Sequence, residues 1–205
     1  MKNKLLIFSG AAGSGKGTVL ALARQKCPLL KLSVSMTTRA PRPGEVDGRE
    51  YTFVSGEEFL RCIEEGALLE YTEYCGNYYG TPKKQFFDML EAGFIPVLEI
   101  ETDGAEQIMN KLDCYLSVFL APPDYPTLER RLRDRGTESE ESIRKRLQAA
   151  REEILFTSHY QYLVINFDSR AEEAAEAIVE ICREENPQSP VIVRDRAAFL
   201  AGFQI

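Results

Sequence analysis

A glycine-rich turn near the start of the chain carries residue types that can bind a polyphosphate. Glycine lets backbone N–H groups approach phosphate oxygens, and a helix that begins with a lysine adds positive charge beside them. The turn follows an apolar stretch at residues 5–8 and reads Gly10, Ala11, Ala12, Gly13, Ser14, Gly15, Lys16, Gly17 and Thr18. The pattern predicts that this turn binds the phosphates of a nucleotide such as ATP, with Lys16 at the β- and γ-phosphates. An ordinary glycine-rich surface turn is the alternative.

The turn departs from the usual phosphate-binding pattern at one position. Gly17 stands where that pattern has Ser or Thr, so no side chain is available there to ligate magnesium. Thr18 carries the nearest hydroxyl, and we expect it to ligate the Mg²⁺ that accompanies ATP.

A second polar stretch contains two arginines that could hold another phosphate group. Arg39 and Arg42 lie in a loop that Pro41 and Pro43 stiffen, which fixes the directions of both guanidinium groups. Such groups suit the planar, bidentate recognition of phosphate. Composition alone leaves a solvated Arg- and Pro-rich loop as an equal alternative.

The elements that must position these residues follow from the apolar pattern. Helical patterns alternate with short apolar segments, which predicts a parallel sheet with helices on both faces. The predicted buried strands are residues 5–9, 30–35, 95–101, 115–120 and 160–166. Residues 35–79 and 122–141 fit the alternation poorly and are interpreted as excursions from this α/β core.

Capping residues mark where several helices begin and end. Ser55 and Glu58 form a capping box, Thr81 is expected to cap a helix that starts at Pro82, and Gly93 follows the end of that helix. A later helix over 140–156 has apolar residues at helical spacing on one face. These are Ile143, Leu147, Ala150 and Ile154.

Bulk composition limits the possible classes of protein. A chain of 205 residues predicts one domain, and a net charge of −7 argues against a nucleic-acid surface. The five cysteines form no CxxC pair, which is typical of the cytoplasm. The first apolar run is too short for a signal peptide, and we expect neither a membrane span nor a membrane partner. The tail from residue 186 is either a docked extension or a frayed end.

Three further groups of residues resemble the signature of guanylate kinases. They occur in the family's order and, with the glycine turn, cover about residues 4–184. The first group is Thr37, Thr38, Arg39, Pro41, Arg42, Pro43, Gly44 and Glu45, then Gly48 and Tyr51. The second is Asn77, Tyr78, Tyr79, Gly80 and Thr81, and the third is residues 130–136 with Lys145, Arg146 and Leu147.

The resemblance implies a P-loop nucleoside monophosphate kinase fold with a five-stranded parallel core sheet. Its core would comprise residues 1–34, 82–125 and 149–185, and a GMP-binding subdomain would comprise 35–81. A lid would span residues 126–148, followed by the tail at 186–205. The implied reaction transfers the γ-phosphoryl of ATP to GMP, in a cytoplasmic monomer or homodimer.

The resemblance also assigns roles to individual residues. The groups implied to hold the GMP phosphate are Arg39, Arg42, Tyr51 and Tyr79, and those implied to read guanine are Ser35, Glu70, Thr81 and Glu101. The implied transition-state groups are Lys16, Arg39, Arg131, Arg135 and Arg146, while Asn166 lies near ATP and Glu99 is the acid beside magnesium. From the pattern alone, Glu70 would be a solvent-facing strand residue, Tyr78 could equally be a packing residue, and Asn166 a strand-end turn residue.

The sequence differs from the family between a strand and a helix, where Glu99 and Glu101 replace the usual aspartates. Each acid keeps its charge but is one methylene longer, so the geometry of magnesium and base binding is open to change. No general base is needed, because the second pKa of the accepting phosphate is near ~6. We therefore interpret the single histidine, His159, as structural.

Two other functions remain alternatives at this stage. A P-loop kinase for another acceptor, such as AMP or a phosphorylated ribose, would share the glycine turn and the lid. A guanylate-kinase-like domain that binds phosphopeptides without catalysis is the alternative from a different class of protein.

Overall fold

The computed structural model describes residues 5–74, 76–134, 140–183 and 186–203, apart from the side chain of Ser142. Its strands are β1 (Leu5–Gly10), β2 (Leu30–Leu32), β3 (Met36–Thr37), β4 (Thr52–Phe53), β5 (Leu68–Tyr74), β6 (Asn77–Pro82), β7 (Ile95–Glu99), β8 (Tyr115–Ala121) and β9 (Tyr162–Ile165). Its helices are α1 (Lys16–Lys26), α2 (Gly56–Glu64), α3 (Lys83–Glu91), α4 (Thr102–Lys111), α5 (Tyr125–Arg133), α6 (Glu140–Leu155), α7 (Ala171–Arg183) and α8 (Arg196–Ala201), with a 3-10 helix at Phe156–His159.

The predicted five-stranded sheet is confirmed. Its order is β2-β7-β1-β8-β9, and β2 pairs with β7, and β8 with β9, in parallel. All six residues of β1 are buried, which explains its continuous apolar run because a parallel strand is covered on both faces. The predicted strands differ from the observed ones only at their ends. For example, the strand expected over 30–35 ends at Leu32.

By its contacts the chain divides into two units, and each is described separately. The first unit comprises Met1–Ile7 and Leu29–Tyr115, and the second comprises Phe8–Pro28 and Leu116–Ile205. The core, subdomain and lid boundaries expected from the family remain a prediction.

The first unit contains a four-stranded sheet of order β4-β3-β6-β5. Its small core joins Met36, Phe59 and Leu68, and Tyr78 packs against this cluster with its ring stacked 5.4 Å from that of Phe59. The Ser55 cap is confirmed, since its side chain accepts a hydrogen bond of 3.1 Å from the Glu58 N–H.

The capping role expected for Thr81 is wrong. Thr81 and Pro82 end strand β6, helix α3 begins at Lys83, and no side chain caps it. The Thr81 hydroxyl instead donates a hydrogen bond of 2.6 Å to Glu70. It therefore binds a buried carboxylate on β5 rather than the N-terminus of α3. The expectation for Gly93 is confirmed, because it follows α3 with a φ of 79°.

The second unit packs α1 against α7 and buries one face of α6. The apolar residues expected on that face, Ile143, Leu147, Ala150 and Ile154, are all buried. Within the described residues, none of the helices is both long and apolar enough to cross a membrane.

The tail is docked on this unit over the residues described, 186–203. The N–H of Ile165 donates to the Val191 carbonyl at 2.9 Å, and the N–H of Val193 donates to the Leu163 carbonyl at 2.8 Å. The tail thereby pairs along β9, an outer strand of the large sheet, and buries Val191, Ile192 and Phe203. Of the two possibilities left by the sequence, the docked extension is the observed one.

Candidate active site

The glycine turn has the backbone shape expected of an anion site. Gly13 and Gly15 adopt left-handed conformations, with φ of 88° and 87°, and α1 begins directly after them. A side chain at Gly10 is excluded, because its Cβ would lie 2.4 Å from the Leu120 carbonyl oxygen. Consecutive N–H groups in such a turn, followed by a helix N-terminus, form a concave site for phosphate oxygens.

Lys16 is the first residue of α1, and its ammonium group donates a hydrogen bond to the Gly10 carbonyl oxygen. The side chain therefore folds back over the turn, where it would meet a bound phosphate. Gly17 and Thr18 are exposed on the same helical turn, and nothing lies within 4 Å of a Cβ placed at Gly17. The Thr18 hydroxyl is thus accessible to a ligand.

Asn166 follows β9 and stabilises the glycine turn through a side-chain hydrogen bond. Its amide Nδ2 donates a hydrogen bond of 2.8 Å to the Ser14 carbonyl, and it would lie 2.6 Å from a Cβ at Gly15. Within the described residues, its buried Oδ1 has no hydrogen-bond partner. Asn166 is therefore more than a turn residue at a strand end, because it fixes the glycine turn and leaves one acceptor unsatisfied.

Arg131 connects helix α5 to the segment that contains Asn166. Its guanidinium donates 2.8 Å hydrogen bonds to the Asn166 carbonyl and to the carboxylate of Asp168. The hydrogen bond from Arg131 to Asp168 holds the pKa of that carboxyl below its ordinary value. Asp168 belongs to none of the sequence motifs, and only its position two residues after Asn166 could have indicated it.

The other predicted arginines differ in what the structure shows. Arg146 is half-buried on α6, whereas Arg135 lies outside the described residues. Arg130 and Arg133, which we did not assign, form exposed ion pairs with Asp168 and Glu129 respectively. This is what a solvated helix face would show.

In the first unit, Arg39 is held by a carboxylate that the motif contained but that we gave no role. Its guanidinium donates two hydrogen bonds to Glu45, at 2.9 and 3.0 Å, and it lies over the rings of Tyr51 and Phe53. The bonds from Arg39 lower the pKa of Glu45. Arg42 is exposed, and its N–H donates to the same carboxylate at 2.7 Å.

Tyr51 and Tyr79 lie beside Arg39, as the predicted phosphate-binding set requires. Their rings meet edge to face at 5.9 Å. Burial, assisted by the negative charge of Glu99, raises the pKa of Tyr51 to about 12. Its hydroxyl therefore stays protonated at neutral pH and can donate to a phosphate oxygen.

Glu70 is the most deeply buried acid of the predicted set, with 2% of its surface exposed. The ladder between β5 and β6 shifts register here, so Leu69 and Glu70 together face Thr81 alone. Such a β-bulge redirects side chains, which explains why three consecutive residues, 68–70, are buried. Burial raises the pKa of Glu70, although the hydrogen bond from Thr81 opposes this.

The remaining predicted residues of this unit are half-buried. Ser35 precedes β3, Glu99 ends β7, and Glu101 is the residue before α4. Tyr78, which the sequence left between packing and ligand contact, packs in the small core described above.

The side chains predicted to ligate magnesium, Thr18 and Glu99, carry oxygen atoms, which are the ligands that Mg²⁺ prefers. Among the residues described, no group of three or more His, Cys, Asp or Glu side chains could hold a metal ion by itself. Mg²⁺ is usually held by one or two protein oxygens together with substrate phosphates. The Thr18 hydroxyl and the Glu99 carboxylate are oxygen donors of this kind.

Comparisons with known proteins give a consistent result. Residues 2–185 match the family model described as guanylate kinase. A guanylate kinase from Gloeobacter violaceus is 44% identical over 188 residues, which is 92% of this chain and 91% of that protein. One from Streptococcus thermophilus is 47% identical over 183 residues, covering 89% and 87%. The crystal structure of guanylate kinase from Anaplasma phagocytophilum has a TM-score of 0.71 at 31% identity and covers 99% of this chain and 96% of its own.

Proposed function

This chain belongs to the guanylate kinase family, and from that premise we propose which of its residues bind each substrate. It is an ATP:GMP phosphotransferase, which moves the γ-phosphoryl group of ATP to the phosphate of GMP and forms ADP and GDP. Nothing in the comparisons favours a phosphopeptide-binding domain or a kinase for another acceptor.

The glycine turn binds the phosphates of ATP. Its N–H groups and the start of α1 attract the anion, and Lys16 exchanges the Gly10 carbonyl for phosphate oxygens as the ligand enters. Asn166 keeps the turn in shape through Ser14. Arg131, which Asp168 orients, and Arg146 neutralise charge that spreads over the transferred phosphoryl oxygens, and the family motif assigns the same role to Arg135.

The loop that contains Arg39 and Arg42 binds the phosphate of GMP. Glu45 fixes the plane of the Arg39 guanidinium with two hydrogen bonds, and Tyr51 and Tyr79 provide hydroxyl donors beside it. Arg42 supplies an exposed second cation. The accepting oxygen is already ionised at neutral pH, so catalysis rests on bringing two anions together rather than on removing a proton.

Glu70 carries the recognition of guanine. Guanine presents N1–H and an exocyclic NH₂ side by side, and one carboxylate can accept both donors. Adenine has an acceptor at N1, which would face the Glu70 carboxylate with repulsion. Thr81 holds the carboxylate in place, and Ser35 and Glu101 complete the proposed base-reading set. The buried and bonded Glu70 is the observation that carries this assignment.

Mg²⁺ is the proposed cofactor, with the Thr18 hydroxyl and the Glu99 carboxylate as its protein ligands. When bound, the ion would screen negative charge on the ATP phosphates.

A cytoplasmic location and a monomeric or homodimeric state are further proposals. The cytoplasmic location agrees with the state of the four cysteines that the structure describes, Cys27, Cys62, Cys114 and Cys182, which form no disulfide.

An acceptor panel tests the assignment of the base. The purified protein would be given ATP and Mg²⁺ with GMP, dGMP, AMP, CMP or UMP, and ADP formation would be followed by a coupled assay. We expect GMP to be the best substrate, followed by dGMP. A preference for AMP would contradict the role of Glu70.

A further inference from the structure

Gly104 lies in the first turn of α4, directly against the proposed guanine-reading carboxylate. A Cβ at this position would be 2.5 Å from Oε2 of Glu70 and 3.2 Å from its Cδ. Real Cβ atoms do not approach an oxygen so closely, so the carboxylate occupies the space that any side chain at residue 104 would need.

No requirement of the backbone explains this glycine. Its φ is not positive, and the residue lies within a regular helix. Glycine destabilises a helix relative to alanine at an ordinary position, because it loses more conformational freedom on folding. The local conformation would therefore favour alanine, and the contact with Glu70 is the structural feature that opposes it.

The carboxylate cannot move aside without losing its surroundings. Glu70 is buried, it accepts a 2.6 Å hydrogen bond from Thr81, and the bulge in β5 fixes its backbone. Helix α4 also packs on β5 and is anchored there by Lys111, whose ammonium donates a 3.0 Å hydrogen bond to the Leu69 carbonyl. The helix and the strand therefore meet closely beside the Glu70 side chain.

We propose that Gly104 is a specificity-determining positioning residue, which lets α4 approach β5 closely enough to hold the Glu70 carboxylate where guanine is read. The proposal rests on the function proposed above for Glu70. Gly104 contacts no substrate itself; its lack of a side chain sets where Glu70 stands. Because Glu101 directly precedes α4, the same close approach also sets the distance between the two proposed base-reading acids.

The direct test is Gly104→Ala, with Gly56→Ala as its matched control. Gly56 is also in the first turn of a helix, has no positive φ, and has nothing within 4 Å of its Cβ position. The displaced group in Gly104→Ala is the end of a side chain, so we expect the fold to survive with a melting temperature close to that of the control. The lost function should be selectivity for the base.

GMP and IMP provide the readout, since IMP lacks the exocyclic NH₂ that Glu70 would accept. We expect Gly104→Ala to lower the ratio of kcat/KM for GMP over IMP about tenfold, the effect of losing one charged hydrogen bond. The KM for ATP should not change. A GMP:IMP ratio equal to that of Gly56→Ala would overturn the proposal.

Glu70→Asp provides the second test, because aspartate is one methylene shorter and withdraws from the Cβ that Gly104→Ala introduces. In that background, Gly104→Ala should cause no further loss of selectivity, whereas a further tenfold loss would overturn the proposal. If Gly104→Ala alone proves unstable, recovery of its melting temperature in the double variant supports the contact, and no recovery refutes it. Failure of the unmodified protein to phosphorylate GMP would instead refute the proposed function, so the two claims fail separately.

Discussion

At the scale of single residues, the cations proposed to bind substrate already have protein partners. Arg39 is bonded to Glu45, Arg131 to Asp168, and Lys16 to the Gly10 carbonyl. Lys16 exchanges the Gly10 carbonyl for phosphate oxygens when ATP binds, whereas Glu45 and Asp168 fix the directions of the two arginines before a nucleotide arrives. Such preorganisation lowers the cost of assembling charge around the transferring phosphoryl group.

Lys16 gives the sharpest mutational prediction at this scale. Lys16→Ala should lower kcat about 100-fold, because an electrostatic group aimed at the transferred phosphoryl is lost, while the KM for GMP changes little. Steady-state kinetics with each substrate varied would measure both values. Lys84→Ala is the matched control, since Lys84 is exposed on α3 and pairs only with Asp88 among the described residues. Equal kcat values for the two variants would contradict the role of Lys16.

Glu70 predicts a particular dependence on pH. Burial raises its pKa above 4.5, so its carboxylate becomes protonated at a higher pH than an ordinary glutamate as the solution is acidified. The protonated form cannot accept both guanine donors, and the KM for GMP should therefore rise as the pH falls through this raised pKa.

The matched variant is Glu70→Gln, which cannot titrate. Its KM for GMP should be higher at neutral pH by about tenfold or more, as expected for a lost charged hydrogen bond. Its remaining pH dependence should come only from the GMP phosphate, with a second pKa near ~6. If the two proteins gave parallel pH profiles, Glu70 would not be the titrating group.

At the scale of elements, the regular parts of the chain were predictable and the irregular contacts were not. Largely apolar runs identified four strands of the large sheet, β1, β7, β8 and β9, because their burial leaves a strong pattern. The edge strand β2 is the exception, since Lys31 is exposed between Leu30 and Leu32. The bulge in β5 left no such pattern, so Glu70 would have been interpreted as solvent-facing without the family resemblance. Thr81 was misassigned for the same reason, since its partner lies across the sheet rather than along the chain.

The docked tail yields a stability prediction for an element beyond the family match at 2–185. Phe203 is fully buried, so Phe203→Ala should lower the free energy of unfolding by about 3 kcal/mol through lost burial and a cavity. Thermal and denaturant unfolding would measure the loss. Phe199 is the control, because its ring centroid lies 5.0 Å from that of Phe203 but the residue is only half-buried. Its alanine variant should lose clearly less free energy of unfolding. Equal, small losses would mean that the tail contributes little to stability.

At the scale of the whole molecule, a net charge of −7 opposes the binding of two anionic nucleotides. Local cations must therefore outweigh the overall field. They occur in three motifs of the sequence: the glycine turn with Lys16, the loop of Arg39 and Arg42, and residues 130–136 with Arg146. What the sequence could not supply was their partners. Glu45 and Asp168 become meaningful only when the folded chain brings them to Arg39 and Arg131.

The transfer of a phosphoryl group from ATP to GMP is tested most simply by quantifying the products made from the two nucleotides in the presence of Mg²⁺. Purified protein would be incubated with both nucleotides, and ADP and GDP would be quantified together by chromatography. We expect equal amounts of ADP and GDP, with ADP formation falling to a trace when GMP is omitted. ADP without GDP, or no diphosphate at all, would contradict this expectation.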